Sequence, residues 1–96
     1  MKFEWDPSKA SLNLSKHGVS FVEAATVFLD PLAVSFEDPD HPSEEDRWIS
    51  IGLSTRSQLI LVAHTDRGEA IRIISARMAT SGERRHYEHG DTVGDR

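Results

Sequence analysis

Arg67, Arg72 and Arg77 fall within the short stretch His64–Arg77 of a 96-residue chain whose formal net charge is −5. Arginine is the side chain best suited to phosphate, because its planar fork donates bidentately and stays charged at any relevant pH. An acidic chain that collects cations in one stretch implies an anion to be held there. Arg47, Glu45 and the segment Glu83-Arg84-Arg85-His86-Tyr87 add donors, acceptors and an aromatic ring. Together these residue types suggest a site for an RNA phosphodiester.

Composition narrows the function classes. There is no cysteine, which excludes disulfides, thiolate nucleophiles and cysteine-ligated zinc. Hydrophobic residues at 38% and charged residues at 28% describe a globular chain with one modest core. The length predicts a single domain over residues 1–96, with a frayed tail from about residue 90. The N-terminal residues Met1–Pro7 lack an apolar signal core, and the apolar run Leu59–Ala63 is too short for a membrane span. The expectation is a cytoplasmic protein. Its acidity argues against binding nucleic acid through bulk charge, but a local cleft can still focus a positive field.

The elements that must position the arginines can be read from period and punctuation. Phe3-Glu4-Trp5 predicts a short strand. Asp6 as N-cap and Pro7 in the first turn open a helix that ends at Gly18. Ser20 and Glu23 have the spacing of a capping box, and Phe21, Ala24, Ala25, Phe28 and Leu29 continue at helical spacing to Asp30-Pro31. The period then changes. Ala33–Phe36, Arg47–Leu53, Leu59–Ala63 and Ala70–Arg77 predict strands joined by turns at residues 55–57 and 66–68, with a polar loop over 37–46. A polar helix over residues 80–88 follows. The fold class is α+β: a short N-terminal strand, a two-helix hairpin, a curved antiparallel meander with helices packed on one face, and a C-terminal helix.

Four segments, taken in order, carry a family resemblance. They are Phe3-Glu-Trp-Asp-Pro-Ser-Lys9, Asn13-Leu-Ser-Lys-His-Gly-Val19 with Phe21, Glu45-Asp-Arg47 with Ile51-Gly52, and Arg72-Ile-Ile-Ser-Ala-Arg77. With Glu83, Arg84 and Tyr87 they resemble the BrnT toxins of bacterial type II toxin–antitoxin systems, over about residues 3–88. The resemblance implies a RelE-like fold and a ribonuclease that uses no metal or other cofactor. It also implies inhibition by a BrnA-like antitoxin, operator DNA reached only through that antitoxin, and a toxin–antitoxin heterotetramer. The active surface it implies holds Arg47, Arg67, Arg72, Arg77 and Glu45, with Lys16, His17, Arg84 and Tyr87 as RNA contacts.

Cleavage of RNA without metal needs the 2′-OH deprotonated, the phosphorane stabilised and the 5′-oxygen protonated. Arg72 and Arg77 fit the second need, with Arg47 and Arg67 as further clamps. Five residues separate Arg72 from Arg77, so a regular strand would point them to opposite faces. A bulge near Ser75, a strand that ends before Arg77, or a role for only one of them would each resolve this.

Glu45 fits either a general base or a partner that orients an arginine. His17 reads as a helix C-cap and His64 as a partly buried histidine on an apolar strand. Tyr87 suits base stacking or packing over the sheet equally. Arg56 and Arg96 read as solvated, and Trp5 and Trp48 as packing residues. Asp38, Asp40, His41 and Glu44 read as a solvated acidic loop rather than a metal site. The rival reading of the whole chain is a catalytically silent module that holds a partner in a DNA-binding repressor complex.

Overall fold

Two stripes of apolar residues on the same strands decide the architecture. In the computed structural model, which describes residues 1–41 and 46–90, strand β4 (Leu59–Arg67) sits at the centre of the sheet and is buried from Leu59 to His64. Its neighbours are β3 (Arg47–Leu53) and β5 (Ala70–Met78), both antiparallel to it. Outside them lie β2 (Val34–Glu37), antiparallel to β3, and β1 (Lys2–Glu4), parallel to β5. The strand order is β1-β5-β4-β3-β2. The expected meander is therefore present, and the sheet is mixed because the first strand joins its far edge in parallel.

The helical hairpin is α1 (Pro7–His17) and α2 (Phe21–Thr26), followed by one 3-10 turn at Val27–Leu29. Asp6 accepts from the Ser8 amide as N-cap, and Gly18 closes α1 at φ 71°, in the left-handed region where glycine carries no Cβ penalty. Ser20 caps α2 by accepting from the Glu23 amide at 3.0 Å. The other half of the expected capping box is absent. Glu23 is buried and turns instead to the Ser54 hydroxyl, which donates to it at 2.7 Å, with exposed Arg56 3.8 Å away.

The hairpin covers one face of the sheet, where Val19, Phe21, Ala24 and Val27 pack on Ile60, Val62, Ile73 and Ala76. The last helix, α3 (Ser81–His89), lies elsewhere. Tyr87 packs with Val34, Ile49, Ile51, Leu59 and Leu61, the stripe on the opposite face. The expectation of helices on one face is thus corrected. β4 carries apolar residues on both faces, Ile60 and Val62 on one and Leu59, Leu61 and Ala63 on the other, and each face needs a cover.

Among the described residues, the edge of β5 has no strand partner beyond β1's three residues, and a side chain takes its place. Buried Asn13 donates to the Ala76 carbonyl (2.9 Å) and accepts from the Ala76 amide (3.1 Å), and it also donates to the Val19 carbonyl (2.9 Å). One amide group thereby fastens α1, the hairpin turn and the sheet edge together.

Candidate active site

The register places the arginines. Ala63 pairs with Ser75 but His64 pairs with Ile73, so β5 carries Ile74 as an extra residue against β4. That bulge shifts the alternation by one. Arg72 lies opposite Thr65 and Arg77 opposite Leu61, both on the face that α3 partly covers. Arg47 lies opposite the same Thr65 from the other side. Arg47, Thr65 and Arg72 thus form one row across three strands, with the arginine Cα atoms about 10 Å apart at the usual strand spacing.

Beside this row lies a cavity of about 300 Å³. Ile49, Leu61, Ala63 and Ser75 form its floor. Arg47 and the turn Asp38–His41 stand at one part of its rim, and Arg77, Glu83 and His86 at another. An apolar floor with a few converging charged groups is the usual composition of a ligand site.

Each rim arginine is held by a carboxylate. Arg77 donates through both terminal nitrogens to Glu83, at 2.8 Å each. Glu83 is itself fixed by a full capping box with Thr80 at the start of α3. The Arg77 guanidinium holds Glu83 below its ordinary value, and the same bond pushes Arg77 up. Arg47 Nε donates to Asp38 Oδ2 at 2.9 Å. The Asp38 side chain is only 5% exposed, and its other oxygen accepts from the Asp40 amide at 2.9 Å. Burial alone would raise the Asp38 carboxyl, but the Asp40 amide, Arg47 and His41 together hold it below its ordinary value.

The expected solvated loop is therefore corrected at Asp38, while Asp40 is exposed as expected and Glu44 lies outside the described residues. Asp38 is a buried anchor, and His41 Nδ1 is 3.0 Å from the Asp38 oxygen that Arg47 uses. Sequence reasoning named His86 only within the segment Glu83–Tyr87 and His41 only within the acidic loop, and gave neither a role of its own. The available signal was a histidine three residues after an aspartate at a strand end, which is visible but common. Among the described residues, no three histidine or acidic side chains gather as a metal-ligating group.

The other expected residues divide by place. Arg67 is exposed at the end of β4, and Arg84 is exposed on α3; neither lines the cavity. Lys16 and His17 lie beyond the free edge of β5, lining a second depression with Lys9, Asn13 and Ser75. Ser75 belongs to both depressions. Tyr87 does not present a stacking face to the cavity. Its ring packs on the sheet and its hydroxyl donates to Asp30 at 2.8 Å, with burial and Asp30 both raising the phenol. Buried His64 lies on the hairpin face, with Nε2 2.8 Å from the Ser50 hydroxyl and its ring against Phe28. Glu45 lies outside the described residues, as does the tail over 91–96.

A mixed five-stranded sheet with this helical hairpin and last helix is the fold of a solved bacterial toxin. The structure is similar to the crystal structure of the Brucella abortus ribonuclease toxin, BrnT, with a TM-score of 0.67 and 30% identity. The likeness covers 84% of this chain and 99% of that one. Residues 5–83 match the family described as the ribonuclease toxin, BrnT, of type II toxin–antitoxin systems, and the chain belongs to that family. No curated protein sequence matches it. Membership makes this chain a toxin component whose counterpart is an antitoxin protein. Among the described residues no helix is long and apolar enough to cross a membrane.

Proposed function

We propose that this chain is a cytoplasmic endoribonuclease that cleaves RNA without metal or other cofactor, by attack of a ribose 2′-OH on the adjacent phosphate. The observation that carries the reading is the pairing of Arg47 and Arg77 on the rim of one cavity, with Arg72 in the same row as Arg47. Cations fixed in advance around a developing dianion stabilise the transition state without reorganising. Arg67, Arg84, Lys16 and His17 extend the cationic surface along a strand of RNA, and Glu45 sits close enough in sequence to Arg47 to orient it or to take a proton. A BrnA-like antitoxin covering this face would silence it, with operator DNA bound only through the antitoxin in a heterotetramer.

One observation favours a second reading, a catalytically silent module that serves the repressor complex. Both rim arginines already have carboxylate partners, Arg47 in Asp38 and Arg77 in Glu83. A phosphate must therefore compete with a carboxylate at each. Incubating the purified chain with labelled single-stranded RNA in EDTA, beside Arg72→Ala and Arg77→Ala, decides between the readings. Cleavage by the parent alone supports the enzyme, whereas RNA left intact by every protein supports the silent module.

A further inference from the structure

Arginines cannot move protons at neutral pH, so the ribonuclease reading offers only Glu45 for the first of two proton transfers and no group for the second. We propose that His41 is the general base and His86 the general acid of this cavity, with Asp38 as the positioning residue for His41. The inference rests on the ribonuclease reading and deepens it.

His41 has the surroundings of a base. Its Nδ1 faces Asp38 Oδ2 at 3.0 Å, and that carboxylate is immobilised by Arg47 and by the Asp40 amide. An imidazole that donates Nδ1–H to a fixed carboxylate keeps the tautomer whose Nε2 carries a free lone pair. The side chain is 42% exposed on the cavity rim, so an incoming 2′-OH can reach it.

His86 has the surroundings of an acid. It lines the same cavity from the last turn of α3, where carbonyls at the negative end of the helix are complementary to a cationic ring. Its ring lies 6.5 Å from that of Phe36, centroid to centroid. The charged groups that line the cavity with the two rings are Asp38, Asp40, Arg47, Arg77 and Glu83, and Asp40 acts on Arg77 across it.

The step balances without a further reactant. The 2′-oxygen forms a bond to phosphorus and its proton passes to His41 Nε2. The bond from phosphorus to the 5′-oxygen breaks, and that oxygen takes a proton from His86. The products are a 2′,3′-cyclic phosphate and a 5′-hydroxyl, and Arg47 and Arg77 hold the phosphorane between them.

The test follows cleavage of a labelled single-stranded RNA in EDTA from pH 5 to pH 9 by the full chain and by His41→Gln, His86→Gln and Glu45→Gln. Thermal melting of each checks its fold. A step that needs one group to take a proton and another to give one should give the parent a bell-shaped profile. Each histidine variant should lose about 10²- to 10⁴-fold in rate, His41→Gln flattening the acid limb and His86→Gln the alkaline limb. A second substrate with sulfur in place of the bridging 5′-oxygen leaves as a thiolate and needs no acid. It should restore His86→Gln but not His41→Gln, an effect no structural role would produce. Histidine variants that cleave within threefold of the parent overturn the proposal, as does a lost acid limb in Glu45→Gln alone. A parent that leaves RNA intact at every pH overturns the ribonuclease reading and this inference with it.

Discussion

The two faces of the sheet are built from alternate residues of the same strands, yet they are finished in opposite ways. On the hairpin face, Phe21, Ala24 and Val27 close over Ile60, Val62 and Ile73, and the polar side chains that enter are held internally: Asn13 on Ala76 and Val19, His64 on Ser50. On the other face α3 covers only part of the apolar stripe, and what stays uncovered is ringed by Arg47, Asp38, His41, Arg77, Glu83 and His86. A closed face adds stability through dense packing and excludes ligands. A half-covered face gives up some burial and keeps a place where charge can be aimed at a substrate. Stability and chemistry should therefore separate by face.

Phe21→Ala should test that separation most severely. It removes a fully buried ring, and the urea midpoint should report a loss of about 3–5 kcal/mol. Activity per folded molecule should be unchanged. Arg77→Ala should do the reverse. Its side chain is 40% exposed and paired with a partly exposed Glu83, so stability should fall by less than about 1 kcal/mol. RNA cleavage should fall about 100-fold, equivalent to ~2.7 kcal/mol in the barrier. A large stability loss with unaltered cleavage would break the comparison.

Asn13→Ala should cost about 2 kcal/mol, because backbone groups of Ala76 and Val19 lose their partner at a buried edge. Tyr87→Phe sharpens the assignment of α3. Deleting the hydroxyl that donates to Asp30 should cost about 1 kcal/mol in chemical denaturation. Cleavage should survive the change, since the ring serves packing.

The smallest effect is in pH dependence, and the two faces should separate along it too. Burial holds His64 below the ordinary value of 6.5, with Asp66 partly opposing. As pH falls below 6.5 the unfolded chain takes up that proton first, so stability should decline down to the folded value. Asp38 and Glu83 are lowered from 3.8 and 4.5, so their contribution is complete above those values and is lost as pH falls through the folded ones. Urea midpoints between pH 7.5 and pH 3 should show both stages. His64→Gln should remove only the first.

Local signals made much of this fold legible. Asp6, Pro7 and Gly18 bracket α1 as their backbone preferences require, and β3 keeps the predicted bounds Arg47–Leu53 because its alternation is unbroken. Thr80 and Glu83 form a capping box that the same rule would have found, while Ser20 and Glu23 form half of one because Ser54 competes for the carboxylate. Gly52 belongs with what is hidden: a Cβ there would lie 2.9 Å from both Ala33 Cβ and Val27 Cγ1, a close approach across elements that spacing alone does not reveal.

The sequence by itself determined the elements, their order and the presence of an arginine-rich last strand, because caps, turns and periodicity act over a few residues. Tertiary structure decided which of those arginines share a face. The bulge at Ile74 turns a five-residue separation into a shared face, and it exists through pairing with β4. The burial of Asp38 likewise depends on Arg47 returning beside it across the loop, and on that depends the orientation of His41. Contacts between residues distant along the chain, rather than local preference, bring Arg47, Arg77, His41 and His86 to the rim of one cavity.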